Sequence, residues 1–233
     1  LLQIRTAEKQ AATTKIVMIQ GNIPQDEKYL EERAEGILKT YLDLTQKAEA
    51  ADPDLVIWPE AAFPGVLGSE MTRVDEIQSI TKPLLMGAVT YEGDIPETFP
   101  AMPEDNFALH NSALFLEPGG YVADRYDKVH LVPIGEYVPF AKFLFFLHQL
   151  VPDMSGFSSG RGHIPLTLHT HHGQVPFGIT ICYEDLFPEI ARIFTRQGVR
   201  FLVNLTNDGW YDRSSAIFQH FDFSRYRAIE NRR

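Results

Sequence analysis

Short apolar runs that stop at Gly or Pro, alternating with stretches of helical period, constrain this chain more than any other feature. Lys15 to Gln20 is β-branched and bounded by Gly21, and Leu55 to Trp58 is cut off by Pro59. Both read as buried strands. Between them, from Asp26 as an N-cap, apolar residues recur at Leu30, Ala34, Ile37, Leu38, Tyr41 and Leu42. That stripe predicts an amphipathic helix ending near Ala50. Leu84 to Tyr91 is a third strand, and a helix is expected over Ser69 to Ile80. Ser112 to Leu116 and Tyr121 to Tyr126 flank Glu117-Pro118-Gly119-Gly120 and predict a hairpin. Gln174 to Ile181 and Arg200 to Leu205 are further strands around a helix from about Phe187 to Gly198, and a last helix begins near Ser214. Alternation plus a hairpin means an α/β layered domain with mixed sheets, and in such layers chemistry collects where strands end.

Composition narrows the function. The 233 residues carry 21 Lys+Arg against 31 Asp+Glu, a formal charge of −10 with no compensating basic stripe, which argues against a nucleic-acid partner. No run reaches the ~18 to 20 apolar residues that cross a bilayer. One cysteine, Cys182, rules out an internal disulfide and a multi-cysteine metal site. Residues 1–14 read as a polar, charged connector to something upstream, which the family resemblance drawn below implies is a membrane region, and residues 15–233 as one domain. The helical pattern after Ser214 has no Gly or Pro terminator, so this domain is expected to be incomplete at its C-terminus.

Three reactive side chains follow strand ends: Glu60, Lys128 and Cys182. Each alone has an ordinary reading, as a surface carboxylate, a solvated ammonium or a buried filler thiol. Together they complete a base, an electrophile and a nucleophile. A thiol at the mouth of a helix would have its pKa lowered by the helix dipole, although Glu184 and Asp185 oppose that. A carboxylate walled by Trp58, Phe63 and Pro64 would have its pKa raised and could accept the thiol proton.

Trp58-Pro59-Glu60, the segment Tyr126 to Pro133 and Ile181-Cys182-Tyr183-Glu184, in that order, resemble the three catalytic signatures of the nitrilase, or carbon–nitrogen hydrolase, superfamily. The resemblance implies a four-layer α-β-β-α sandwich in which Glu60 is the general base, Lys128 stabilises the oxyanion and Cys182 is the nucleophile. Gln20 to Gln25, His130 to Pro139, and Asn207 to Trp210 followed by Gln219-His220 are similar to the apolipoprotein N-acyltransferase branch. That branch implies Glu136 as a further essential glutamate and Tyr183 and Glu184 as the pair beside the cysteine. Tyr29 stands where the branch often has Trp, and Asp208 and Trp210 are expected to line the pocket.

The branch further implies a phospholipid acyl donor, an apolipoprotein acceptor and no cofactor, on the extracytoplasmic side of a bacterial inner membrane. Phe140 to Val151 packs four Phe and three Leu into a segment too short to span. It reads either as a core helix or as a membrane-surface contact. His169, His171 and His172 read as a polar strand edge, and no metal is assigned. Two rival functions remain: a soluble amidase that uses the same three residues on a small amide with water as acceptor, and a catalytically silent binding or scaffold domain of this fold.

Overall fold

A computed structural model describes residues 13–94, 107–133, 135–136, 156–211 and 214–233. Among the described residues, nine strands form two sheets. The first contains β1 (Ile16–Met18), β2 (Leu55–Ile57), β3 (Val66–Gly68), β4 (Leu84–Gly93), β5 (Phe107–Glu117) and β6 (Tyr121–Asp127), ordered β1-β2-β4-β5-β6 with β3 beside β4. The second contains β7 (Leu166–Thr170), β8 (Gly173–Ile181) and β9 (Phe201–Leu205). β1, β2 and β4 pair in parallel, whereas β4, β5 and β6 are antiparallel. The sheets are mixed, as the sequence pattern requires.

Side-chain alternation makes the layers. In β2, β4 and β5, Val56, Leu84, Met86, Leu114 and Leu116 face one core, while Leu55, Ile57, Leu85, Ala113 and Phe115 face the other. The first core lies under α1 (Ala34–Glu49), which buries Ile37, Tyr41 and Thr45 at a spacing of four. The second core joins the two sheets, with Phe115 edge-on to Phe177 at 5.8 Å. α2 (Pro188–Arg196) covers the outer face of the second sheet, where Gly178 leaves room for Phe194. α3 (Ala216–Asn231) packs beside α2. Helix, sheet, sheet, helix is the expected four-layer order.

Several local expectations are corrected. α1 starts at Ala34, not at Asp26: Gln25 to Tyr29 forms a turn, and Leu30 is extended and 44% exposed. The helix expected over Ser69 to Ile80 is only a 3-10 turn, Asp75–Ile77. β7 was missed as a core strand; Leu166 and Leu168 are buried while His169 faces out. The hairpin turn is as expected, with Gly119 and Gly120 both at positive φ. A side chain at Gly120 would also strike the Val74 carbonyl. Phe140 to Val151 lies outside the described residues. Among the described residues, no helix is long and apolar enough to cross a membrane.

Candidate functional site

Glu60 lies in the turn that follows β2, and that turn can cross β4 because residue 87 is glycine. A Cβ there would sit 2.2 Å from the Pro59 carbonyl oxygen and 2.7 Å from the Ala61 nitrogen. The Gly87 carbonyl instead accepts the amides of Ala62 and Phe63. Glu60 does not have the apolar wall expected for it. Trp58 is fully buried beneath α1, stacked on Tyr41 at 4.9 Å and donating to Thr45. The carboxylate is held by polar donors: Asn111 Nδ2 at 2.8 Å on Oε1, and the Asn207 amide at 2.9 Å on Oε2.

Lys128 follows β6 and is 1% exposed. Its Nζ lies 2.8 Å from Glu136 Oε1 and 3.7 Å from Glu60 Oε1. Burial pulls the ammonium's pKa down, but the charges of Glu60 and Glu136 more than offset this and the net shift is upward. Asn111 Nδ2 also donates to Glu136 at 3.1 Å, so one amide joins the two carboxylates.

Cys182 follows β8 and begins a five-residue 3-10 turn, Cys182–Leu186, with its own backbone at φ 50. The expected acidic thiol is overturned: burial pushes its pKa up to about 12, the Glu60 charge adds to the rise, and the Lys128 charge pulls against it. A single 3-10 turn supplies too little dipole to outweigh that burial. Cys182, Glu60 and Lys128 are thus within electrostatic reach of one another. A thiol that keeps its proton, an anchored carboxylate and an ammonium can together transfer a proton as sulfur attacks a carbonyl.

The other expected residues occupy different settings. Tyr29 and Trp210 are exposed, with their ring centroids 6.3 Å apart. Tyr183 lines an apolar groove of about 560 Å3 with Val129, Leu131, Pro133, Phe157 and Phe187. Glu184 is fully buried. It accepts the amides of Val129, His130 and Ile181 and the Tyr126 hydroxyl, which ties the Lys128 strand end to the Cys182 turn. Asp208 points to His220, with Nδ1 2.7 Å from its Oδ1. His171 is exposed near Asp54, and among the described residues no group of three or more His, Cys, Asp or Glu is placed to hold a metal.

Sequence reasoning missed Lys28 and Asn111. Buried Lys28 donates to the Glu60 carbonyl at 2.9 Å, and burial lowers its pKa to about 8 against the pull of Glu60. The signal for Asn111 was the polar triplet His110-Asn111-Ser112 inside an otherwise apolar strand. Lys28 left no comparable signal in its turn.

Solved structures share the fold at low identity. A Saccharomyces cerevisiae member of branch 10 of the nitrilase superfamily superposes with TM-score 0.58 at 17% identity, covering 94% of this chain and 72% of that one. A carbon-nitrogen hydrolase from Helicobacter pylori G27 gives 0.58 at 18%, covering 94% and 70%. Among sequences, the chain is 42% identical over 224 residues to the apolipoprotein N-acyltransferase of Geobacter metallireducens, covering 95% of this chain and 41% of that protein. For the protein of that name from Bdellovibrio bacteriovorus the identity is 32%, covering 94% and 42%. The chain therefore spans about two fifths of the length of these relatives. Residues 15–233 match the carbon-nitrogen hydrolase family profile, and this chain belongs to the carbon–nitrogen hydrolase family.

Proposed function

We propose that this domain transfers a fatty acyl group from a phospholipid, through a Cys182 thioester, to the N-terminal amine of a diacylglyceryl-modified apolipoprotein. What supports the reading is the buried ammonium of Lys128, 3.7 Å from Glu60 and 2.8 Å from Glu136, with the charges of both Glu60 and Lys128 acting on the Cys182 thiol. The names of the relatives support the acyl-transfer direction.

In the first half-reaction the sulfur attacks the ester carbonyl while its proton passes to Glu60. Lys128 balances the negative charge that develops on the carbonyl oxygen. Collapse breaks the ester C–O bond, and Glu60 returns the proton to the departing lysophospholipid oxygen. In the second half-reaction the amine attacks the thioester, Glu60 takes the amine proton, and the thiol is regenerated as the amide forms. The high thiol pKa suits this scheme, because sulfur becomes nucleophilic only as its proton is taken. Glu136 holds Lys128 in place, and the groove beside Tyr183 offers an apolar surface for the acyl chain. The reading places the domain on the extracytoplasmic side of a bacterial inner membrane.

Incubation with phospholipid should add one acyl mass to Cys182, absent in Cys182→Ala, and an apolipoprotein peptide should remove it. An unmodified thiol, together with hydrolysis of small amides in solution, would move the assignment to an amidase.

A further inference from the structure

The last helix docks by its polar side. His220, Ser224 and Arg227 turn inward at helical spacing, and each contacts the segment that begins at Cys182. Ser224 Oγ donates to Asp185 at 2.6 Å and Arg227 to the Leu186 carbonyl at 3.4 Å. His220 Nε2 lies 3.2 Å from the Cys182 carbonyl oxygen and 3.1 Å from Asp185 Oδ1, while Nδ1 lies 2.7 Å from Asp208 Oδ1. Phe218, Phe221 and Ile229 of the same helix face solvent.

Both ring nitrogens of His220 therefore meet oxygens that can only accept. A neutral imidazole has one N–H and would aim a lone pair at one of them; an imidazolium donates to both sides. Burial opposes the charge, but Asp185 and Asp208 outweigh it and lift the pKa to about 9. Among the described residues, neutral groups beside the ring are Tyr211 edge-on at 6.1 Å, Asn204 and Ser224 on Asp185, and Thr206 on Asp208, while the charge of Arg227 is turned to the Leu186 carbonyl and Glu230. The atom gripped by this ring is the carbonyl of Cys182, whose φ of 50 is uncommon for a residue with a side chain.

We propose that His220 is a charged positioning residue: its imidazolium, bracketed by Asp185 and Asp208, clamps the Cys182 carbonyl and holds the nucleophile in its left-handed turn. This rests on Cys182 being the acylated group and not on the identity of the natural donor.

The probe is p-nitrophenyl butyrate. Sulfur attacks its carbonyl, the bond between the acyl carbon and the ester oxygen breaks, p-nitrophenolate leaves and the thiol proton passes to Glu60. Nitrogen spectra of the ring at about pH 7.5 should show both His220 nitrogens protonated, with titration near 9. His220→Gln should slow the p-nitrophenolate burst at least ~tenfold, with ester binding within ~twofold of native. Lys28 titrates near 8 on another side of the site, so any alkaline limb is assigned with Asp208→Asn. That variant should move the limb and the His220 titration to lower pH together, and it carries the test if His220→Gln does not fold. A ring found neutral at about pH 7.5, or a His220→Gln burst within ~twofold of native, overturns the proposal. A native protein whose Cys182 takes no acyl group overturns both this proposal and the acyl-transfer reading, so the two failures are distinguishable.

Discussion

The ammonium of Lys128 makes its shortest contact with Glu136, at 2.8 Å, and both side chains are nearly sealed from solvent. Removing the cation would leave Glu136 and Glu60 bridged by Asn111 with no positive charge between them among the described residues. Lys128→Met should therefore lower acyl transfer at least ~100-fold, the scale for losing a preorganised charge at an oxyanion. Stability should fall by about 3 kcal/mol, as for other half-broken buried pairs. A burst assay and urea unfolding measure the two effects.

The Cys182 thiol should alkylate slowly. A pKa raised from 9.0 to about 12 lowers the thiolate fraction at pH 8 by about 1,000-fold. Glu60→Gln removes one cause of the rise, so iodoacetamide should label Cys182 faster in that variant while acyl transfer falls. If acyl transfer in Glu60→Gln stays within ~twofold of native, Glu60 is not the base.

Lys28 and Cys182 give pH-dependent stability of opposite sign. The Lys28 pKa is lowered in the folded state from 10.5 to about 8, so the unfolded chain binds more protons in that interval and stability rises with pH across it. The Cys182 pKa is raised, so its contribution is complete below about 9 and is lost as pH climbs towards about 12. Lys28→Met should abolish the rise between about pH 8 and 10 in urea titrations, while Cys182→Ala should abolish the later fall.

Gly87→Ala tests the close crossing of the Glu60 turn over β4. The new methyl would displace backbone at Pro59 and Ala61, where no side chain can yield. Destabilisation of about 3 kcal/mol is expected, with loss of the Glu60 contacts and therefore of burst activity. A variant with native stability and burst would show that the turn can shift freely.

Glu60, Lys128 and Cys182 were legible because each follows an abrupt strand end, and the strand ends were set by apolar runs bounded by Pro, Gly or polar residues. The layers were legible for the same reason. Local propensity misled where tertiary contacts decided: Asp26 looks like a cap, yet the turn around it is fixed by Gln25 bonding Asn207 and Lys28 bonding Glu60, 182 and 32 residues away in sequence. Trp58 beside Glu60 suggested an apolar wall, but its indole N–H goes to Thr45 on the opposite face of the sheet. Asn111 and Glu184 depend on donors from distant segments, which periodicity does not report. Burial rather than position in the chain sets the thiol pKa, and burial of a strand end is a property of the assembled layers.

The carboxylate of Glu184 behaves as a rivet between two strand ends. The floor of the cleft is thereby a single stiff plate on which the sulfur and the ammonium keep a constant separation. Tyr29 and Trp210 stand in solvent with their rings 6.3 Å apart; on the proposed acyl-transfer reading, exchanging those two aromatics should change which molecules enter without disturbing the chemistry at the sulfur.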